Sequence, residues 1–293
     1  MPRNVTVGVD GSPESRAAAE WAAREAGLLG LPLRVVHAWQ PVVQAPLLGV
    51  EASRDQAEQM LREVGESLRL RHSRIEVNID YLTGRPVEAL CEAASEAELL
   101  VLGSRALGGV SGFVLGSVGL SVAAHAKRPV VFVRADEDRE RVPTRPSSGA
   151  YAHRPVVLGL DTASPDDVVI RFAFDAAMRR SAALRVVHGW YPPRHFGHTT
   201  STVAQLHEPA ARSASAVLAE VLRSWRQRYP DVEVAEDALS GSAARLLVDA
   251  SRGASLVVVG RRARRGLFGT HIGPVAHGVL HHTAAPVAVV AHG

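Results

Sequence analysis

The chain has 293 residues, 46% of them hydrophobic and 22% charged, with a formal net charge of +3. That is enough for two domains of ordinary size and suits globular packing. Although the pI is near 9.5, so small a charge excess argues against a nucleic-acid partner, which calls for a clustered basic face.

The single cysteine, Cys91, rules out an internal disulfide and fits a reducing cytoplasm. The opening "MPRNVTVGVDGS" enters a strand pattern directly, without a secretory apolar region. No apolar run approaches the ~20 residues that a membrane span requires. The expectation is a cytoplasmic protein with no membrane partner.

In chain order, Val5–Val9 is a short β-branched strand. Ser12, Pro13 and Glu14 supply an N-cap, a first-turn proline and a first-turn acid for a helix reaching about Leu29. Leu33–Ala38 is a second strand. Glu51–His72 is a long amphipathic helix with Ala57, Met60, Leu61, Val64 and Leu68 at helical spacing. Ile75–Tyr81 alternates as a more exposed strand. Pro86–Ala97, Leu99–Leu102, Val114–Ala126 and Val130–Val133 follow as helix, strand, helix and strand.

The same order then repeats. "LRVVHAW" at Leu33–Trp39 returns as "LRVVHGW" at Leu184–Trp190, and "ELLVLGSRA" from Glu98 returns as "SLVVVGRRA" from Ser255. Asp10 and Asp161, like His37 and His188, are 151 positions apart. Gly103 and Gly260, Gly116 and Gly273, and Pro129 and Pro286 are each 157 apart. The difference of six places an insertion between the second and fourth strands of the second copy. So long a period marks a duplicated domain, not a solenoid. Residues 1–135 and 155–293 form the expected domains. The stretch 136–154, charged and then rich in proline, serine and glycine, is the expected linker.

Apolar strands alternating with helices predict an α/β protein: two tandem doubly wound domains, each with a five-stranded parallel sheet covered on both faces. In such sheets ligands bind beyond the carboxyl ends of the strands, where the strand order reverses. If the first and fourth strands are neighbours there, Asp10 and Gly103 face one crevice.

Three features together resemble the universal stress protein family across both halves. They are an Asp ending the first strand, a His-Ala or His-Gly ending the second, and a glycine-rich loop after the fourth that closes on Gly-Ser at Gly116-Ser117. The resemblance implies a Rossmann-like ATP-binding domain with strand order 3-2-1-4-5, in which the last strand pairs domains or subunits. It further implies that Asp10 and the backbone of Ala38 meet adenine, and that Gly103, Gly116, Ser117 and Val118 line the phosphates. Magnesium is left open. The physical chemistry agrees: glycine admits close backbone approach, and helix N-terminal N–H groups attract anions.

Each copy departs from the family pattern. Ala106 stands where the family has its second glycine. In the second copy, Asp161, Gly189, Gly260 and Gly273 keep register, but Pro274 replaces Ser117 and removes two donors, an N–H and a hydroxyl. Thr162 replaces Gly11, while Arg261, Arg262, Arg264 and Arg265 crowd the loop as cations that could attract phosphate. The first domain is therefore expected to be the better nucleotide site and the second a degenerate one.

Other candidates read more plainly. His37 and His188 are expected as hydrogen-bonded strand histidines. His277 and His281 share a helix face, but with no third ligand in sight no metal site is expected. The four tryptophans read as packing, and the His195–His198 stretch as an ordinary loop. The resulting expectation is an ATP-binding stress-response regulator with an unidentified protein partner. Its two domains would form a pseudo-dimer through their last strands, and whole chains could pair again. A slow ATPase or nucleotidyl transferase, and a scaffold with vestigial sites, stand as alternatives.

Overall fold

The computed structural model describes residues 3–40, 47–104, 116–135, 154–191, 200–263 and 272–293. The expected linker, apart from Arg154, lies outside them, as do Ala106, Arg264, Arg265 and His195–His198.

The first half runs β1 (Val5–Gly8), α1 (Pro13–Leu29), β2 (Leu33–Trp39), α2 (Leu47–Arg71), β3 (Val77–Thr83), α3 (Pro86–Glu96), β4 (Leu99–Gly103), α4 (Ser117–His125) and β5 (Val130–Val133). The second half repeats it as β6 (Val156–Gly159), α5 (Asp167–Arg179), β7 (Leu184–Trp190), α6 (Thr200–Arg228), β8 (Val234–Ser240), α7 (Ala243–Ala250), β9 (Leu256–Arg262), α8 (Pro274–His282) and β10 (Val287–His292). α2 starts at Leu47 rather than Glu51, and α4 at Ser117 rather than Val114. Gly116 is the N-cap of α4.

Within each half the strands are parallel in the order expected, 3-2-1-4-5. The two sheets are joined, however. β5 and β10 pair antiparallel, with Val131 opposite Ala288, giving one ten-stranded sheet. Both strands are fully buried along the seam. Apolar strands that would otherwise be exposed edges thus satisfy each other. The outer edges, β3 and β8, carry charge instead: Arg34 binds Asp80, and Arg185 binds Asp237.

One apolar layer, containing α1, α2, α5 and α6, covers one face of the sheet and extends across both halves. α3, α4, α7 and α8 cover the other face. Trp21 and Trp225 are buried in the first layer, where Trp225 stacks on Phe174, so both serve packing.

Candidate functional site

β1 lies between β2 and β4, and the strand order reverses across the β1–β4 pair. A crevice of about 350 Å³ opens beyond their carboxyl ends, lined among others by Asp10, Ala38, Gly103, Gly116, Ser117 and Val118. Every described residue predicted for the first site therefore reaches one cavity. Ser12, Ser15, His37 and Pro86 line it as well.

The local sequence explains how Asp10 is held. Gly11 has φ +82°, which lets the chain turn at once from β1 into α1. The Asp10 Oδ1 atom accepts the Ser12 N–H at 3.1 Å and the Ser12 hydroxyl. Ser12 Oγ caps α1 by accepting the Ser15 N–H, and the Asp10 N–H donates to Ser15 Oγ. His37 Nδ1 donates to the Val9 carbonyl at 2.7 Å, which ties β2 to the same turn. The expectation of a hydrogen-bonded strand histidine holds in both copies: His188 donates to Leu160 O at 3.0 Å.

The crevice glycines have different physical origins. A Cβ on Gly103 would lie 2.6–2.8 Å from the backbone of Glu14 and Ser15. Glycine is required there by the first turn of α1, independently of any ligand. Gly116 is the opposite case. Its φ is −58°, and among the described residues a Cβ would meet nothing within 4 Å. As a glycine it offers no side chain of its own to cap α4. Gly273, the N-cap of α8, repeats both properties.

The second crevice is larger, about 620 Å³, and is lined by Asp161, Gly189, Gly260, Gly273 and Pro274 among others. Thr162 has no positive φ, and α5 starts at Asp167, three residues later than the register of α1 would put it. His292 fills the space over Gly260, where a Cβ would come within 2.8 Å of its Nε2. Its Nδ1 lies 3.3 Å from Asp166 Oδ2, while Asp166 Oδ1 caps α5. Sequence reading missed His292 and Asp166. Their only signal was the duplication register, in which Ala135 and Ser15 are the counterparts.

Arg261 and Arg262, expected in the loop, end β9 instead and do not stand ready for phosphate. Arg261 is 4% exposed and donates to Ala126 O at 2.6 Å, in the other half. Burial lowers its pKa, with Cys91 acting the other way. Arg262 pairs with Asp161 at 3.3 Å, and so sits beside the carboxylate that aligns with Asp10. The cation cluster expected from sequence is thus committed at both described members.

Among the described residues no group of three or more His, Cys, Asp or Glu side chains is placed to hold a metal ion. The rings of His277 and His281 lie with centroids 4.3 Å apart, tilted by 40°. Among the same residues, no helix is long and apolar enough to cross a membrane.

Comparison with known proteins gives a consistent picture. The sequence pattern of the universal stress protein family matches twice, over residues 1–134 and 152–291. A universal stress protein of Mycobacterium tuberculosis is 35% identical, with 97% of this chain and 96% of that protein covered. One from Mycolicibacterium smegmatis is 32% identical, covering 98% and 96%. The crystal structure of a universal stress protein from Archaeoglobus fulgidus superposes over the full length of both chains, with a TM-score of 0.73 at 18% identity.

Proposed function

From a chain that belongs to the universal stress protein family, we propose an adenine-nucleotide-binding regulator of stress responses, with ATP as its ligand. The observation that carries this reading is the pair of N-caps, Gly116 and Gly273. Neither glycine has a positive φ or, among the described residues, a neighbour that a Cβ would meet, and each lines a crevice as a helix N-cap with no side chain of its own to cover the N-terminus. A phosphate approaching the backbone N–H groups explains both features. Asp10, fixed by Ser12, offers an acceptor at the other end of the first crevice for the adenine amino group.

The first crevice is the tighter site in this reading. Ser117 adds a hydroxyl and keeps its N–H, whereas Pro274 supplies neither, Arg261 is held by Ala126 O in the other half, and Arg262 is paired with Asp161 inside the second crevice. Its smaller volume also leaves less room for water around a bound nucleotide. Occupancy would change which partner protein the chain meets. β5 and β10 are spent on each other, so a second copy of the chain would have to add through helices or the charged outer edges. Light scattering reads whether whole chains pair at all.

Titrating the whole chain with ATP by calorimetry tests the proposal. The expected result is one tighter and one weaker site, with the tighter lost in Asp10→Ala. No binding at millimolar ATP overturns it. Phosphate or pyrophosphate release by the same preparation would replace the regulator with a slow ATPase or nucleotidyl transferase.

A further inference from the structure

Each half sends one buried arginine to the far end of the other half's crevice helix. Arg261 lies in β9, on the wall of the second crevice, and its Nη2 donates to Ala126 O, the C-cap carbonyl of α4, at 2.6 Å. The N-terminus of α4 is the Gly116–Ser117 wall of the first crevice. Arg134 directly follows β5, and its Nη2 donates to Leu280 O, in the last turn of α8, at 2.7 Å. The N-terminus of α8 is the Gly273–Pro274 wall of the second crevice.

Antiparallel pairing of β5 with β10 explains the crossing. It brings the carboxyl ends of one half's strands level with the amino ends of the other's. Helices α4 and α8 run back from the carboxyl ends, so each finishes beside the other half's crevice. A cation there meets the negative end of the helix dipole and unpaired terminal carbonyls. The two arginines are 4% and 7% exposed, so water cannot replace them cheaply. They are not duplicated features: Ser104 stands at the register of Arg261, and Ala291 at that of Arg134.

The geometry points to Arg261 and Arg134 as crossed positioning residues. Arg261 sets the N-terminus of α4 from the second crevice, and Arg134 sets the N-terminus of α8 from the first half. α4 and α8 are nine-residue helices in a close-packed layer, so each transmits a displacement of its end as a rod. A ligand that moves the end of β9 therefore alters the wall of the first crevice. By linkage, a ligand in the first crevice alters the second equally. As regulation of the two crevices this rests on reading them as nucleotide sites, but the positioning itself does not.

Amide-resolved hydrogen exchange of the full chain tests it without any ligand. The first helical bonds, Leu120 N–H to Gly116 O at 3.0 Å and His277 N–H to Gly273 O at 2.9 Å, are the reporters. Arg261→Met is expected to speed exchange at Leu120 about tenfold and leave His277 unchanged, and Arg134→Met to do the reverse. Arg261→Lys, which keeps a donor, is expected to stay within about twofold of wild type. Arg261→Gln, shorter and neutral, carries the same expectation as methionine where that variant does not fold. Faster exchange confined to the last turn of α4, with Leu120 unmoved, overturns the inference. ATP titration of the same variants is the second arm: a first-site affinity at least fivefold weaker in Arg261→Met, restored by lysine, supports the coupling. If wild type binds no ATP, the nucleotide reading fails and the exchange pattern still decides the positioning.

Discussion

Glu25 of α1 accepts a hydrogen bond from the Arg180 guanidinium at the end of α5, joining the two halves on the face opposite α4 and α8. The side chains are 3% and 8% exposed, so this ion pair is dry. Arg180 also lies over the Trp21 ring, 6.0 Å from its centroid. Removing one partner strands the other charge out of water. Glu25→Ala is expected to cost about 3–5 kcal/mol in urea unfolding. Replacing both partners with apolar residues of similar volume should recover most of that loss, because the pair offsets its own desolvation only in part.

Gly103→Ala and Gly116→Ala separate packing from binding. The first puts a Cβ within 2.6 Å of α1 backbone. It should lower stability by about 1–3 kcal/mol, read as a drop in the unfolding midpoint. The second fills open space, so the midpoint should hold while ATP affinity falls by about tenfold. If both variants lose only stability, the Gly116 wall is not a phosphate wall.

Pro274→Ser restores an N–H and a hydroxyl to the start of α8. Calorimetry should show the weaker site gaining about tenfold in ATP affinity, the worth of one or two added hydrogen bonds to a charged group. Ser117→Ala should weaken the tighter site by a similar factor.

His277 has a lowered pKa, first from burial and then from His281 and His282 nearby. The unfolded chain, with an ordinary value of 6.5, therefore takes up this proton more readily than the folded one. The sign follows: stability is full above about pH 6.5 and falls as pH drops through that value. His281→Ala removes the nearest like charge and should flatten the acid limb of a midpoint-against-pH curve. An unchanged slope would mean that other groups govern it.

Much of this was legible in the sequence because the signals are local and repeated. The Ser12 cap, the first-turn Pro13 and the β-branched runs each act within a few residues, and the duplication showed which glycines recur. The bonds of His37 and His188 were anticipated for the same reason. Long-range consequences were not legible. Nothing near Gly103 announces that α1 crowds it, and nothing near Arg261 announces Ala126, 135 positions away. The arginine cluster read as cations that could attract phosphate until the fold gave two of them fixed acceptors. The His292–Asp166 pair depends on α5 starting late, which becomes visible only when the two copies are superposed.

The β5–β10 seam also has a consequence for symmetry. In a dimer of identical chains, every substitution appears twice, and both sites must change together. Here the two-fold relation is enclosed within one polypeptide, so it can be broken one residue at a time. Thr162, Pro274 and His292 differ from Gly11, Ser117 and Ala135 without altering them. One copy can keep an inherited pocket while the other drifts toward a new ligand, and the ratio of the two stays fixed at one to one.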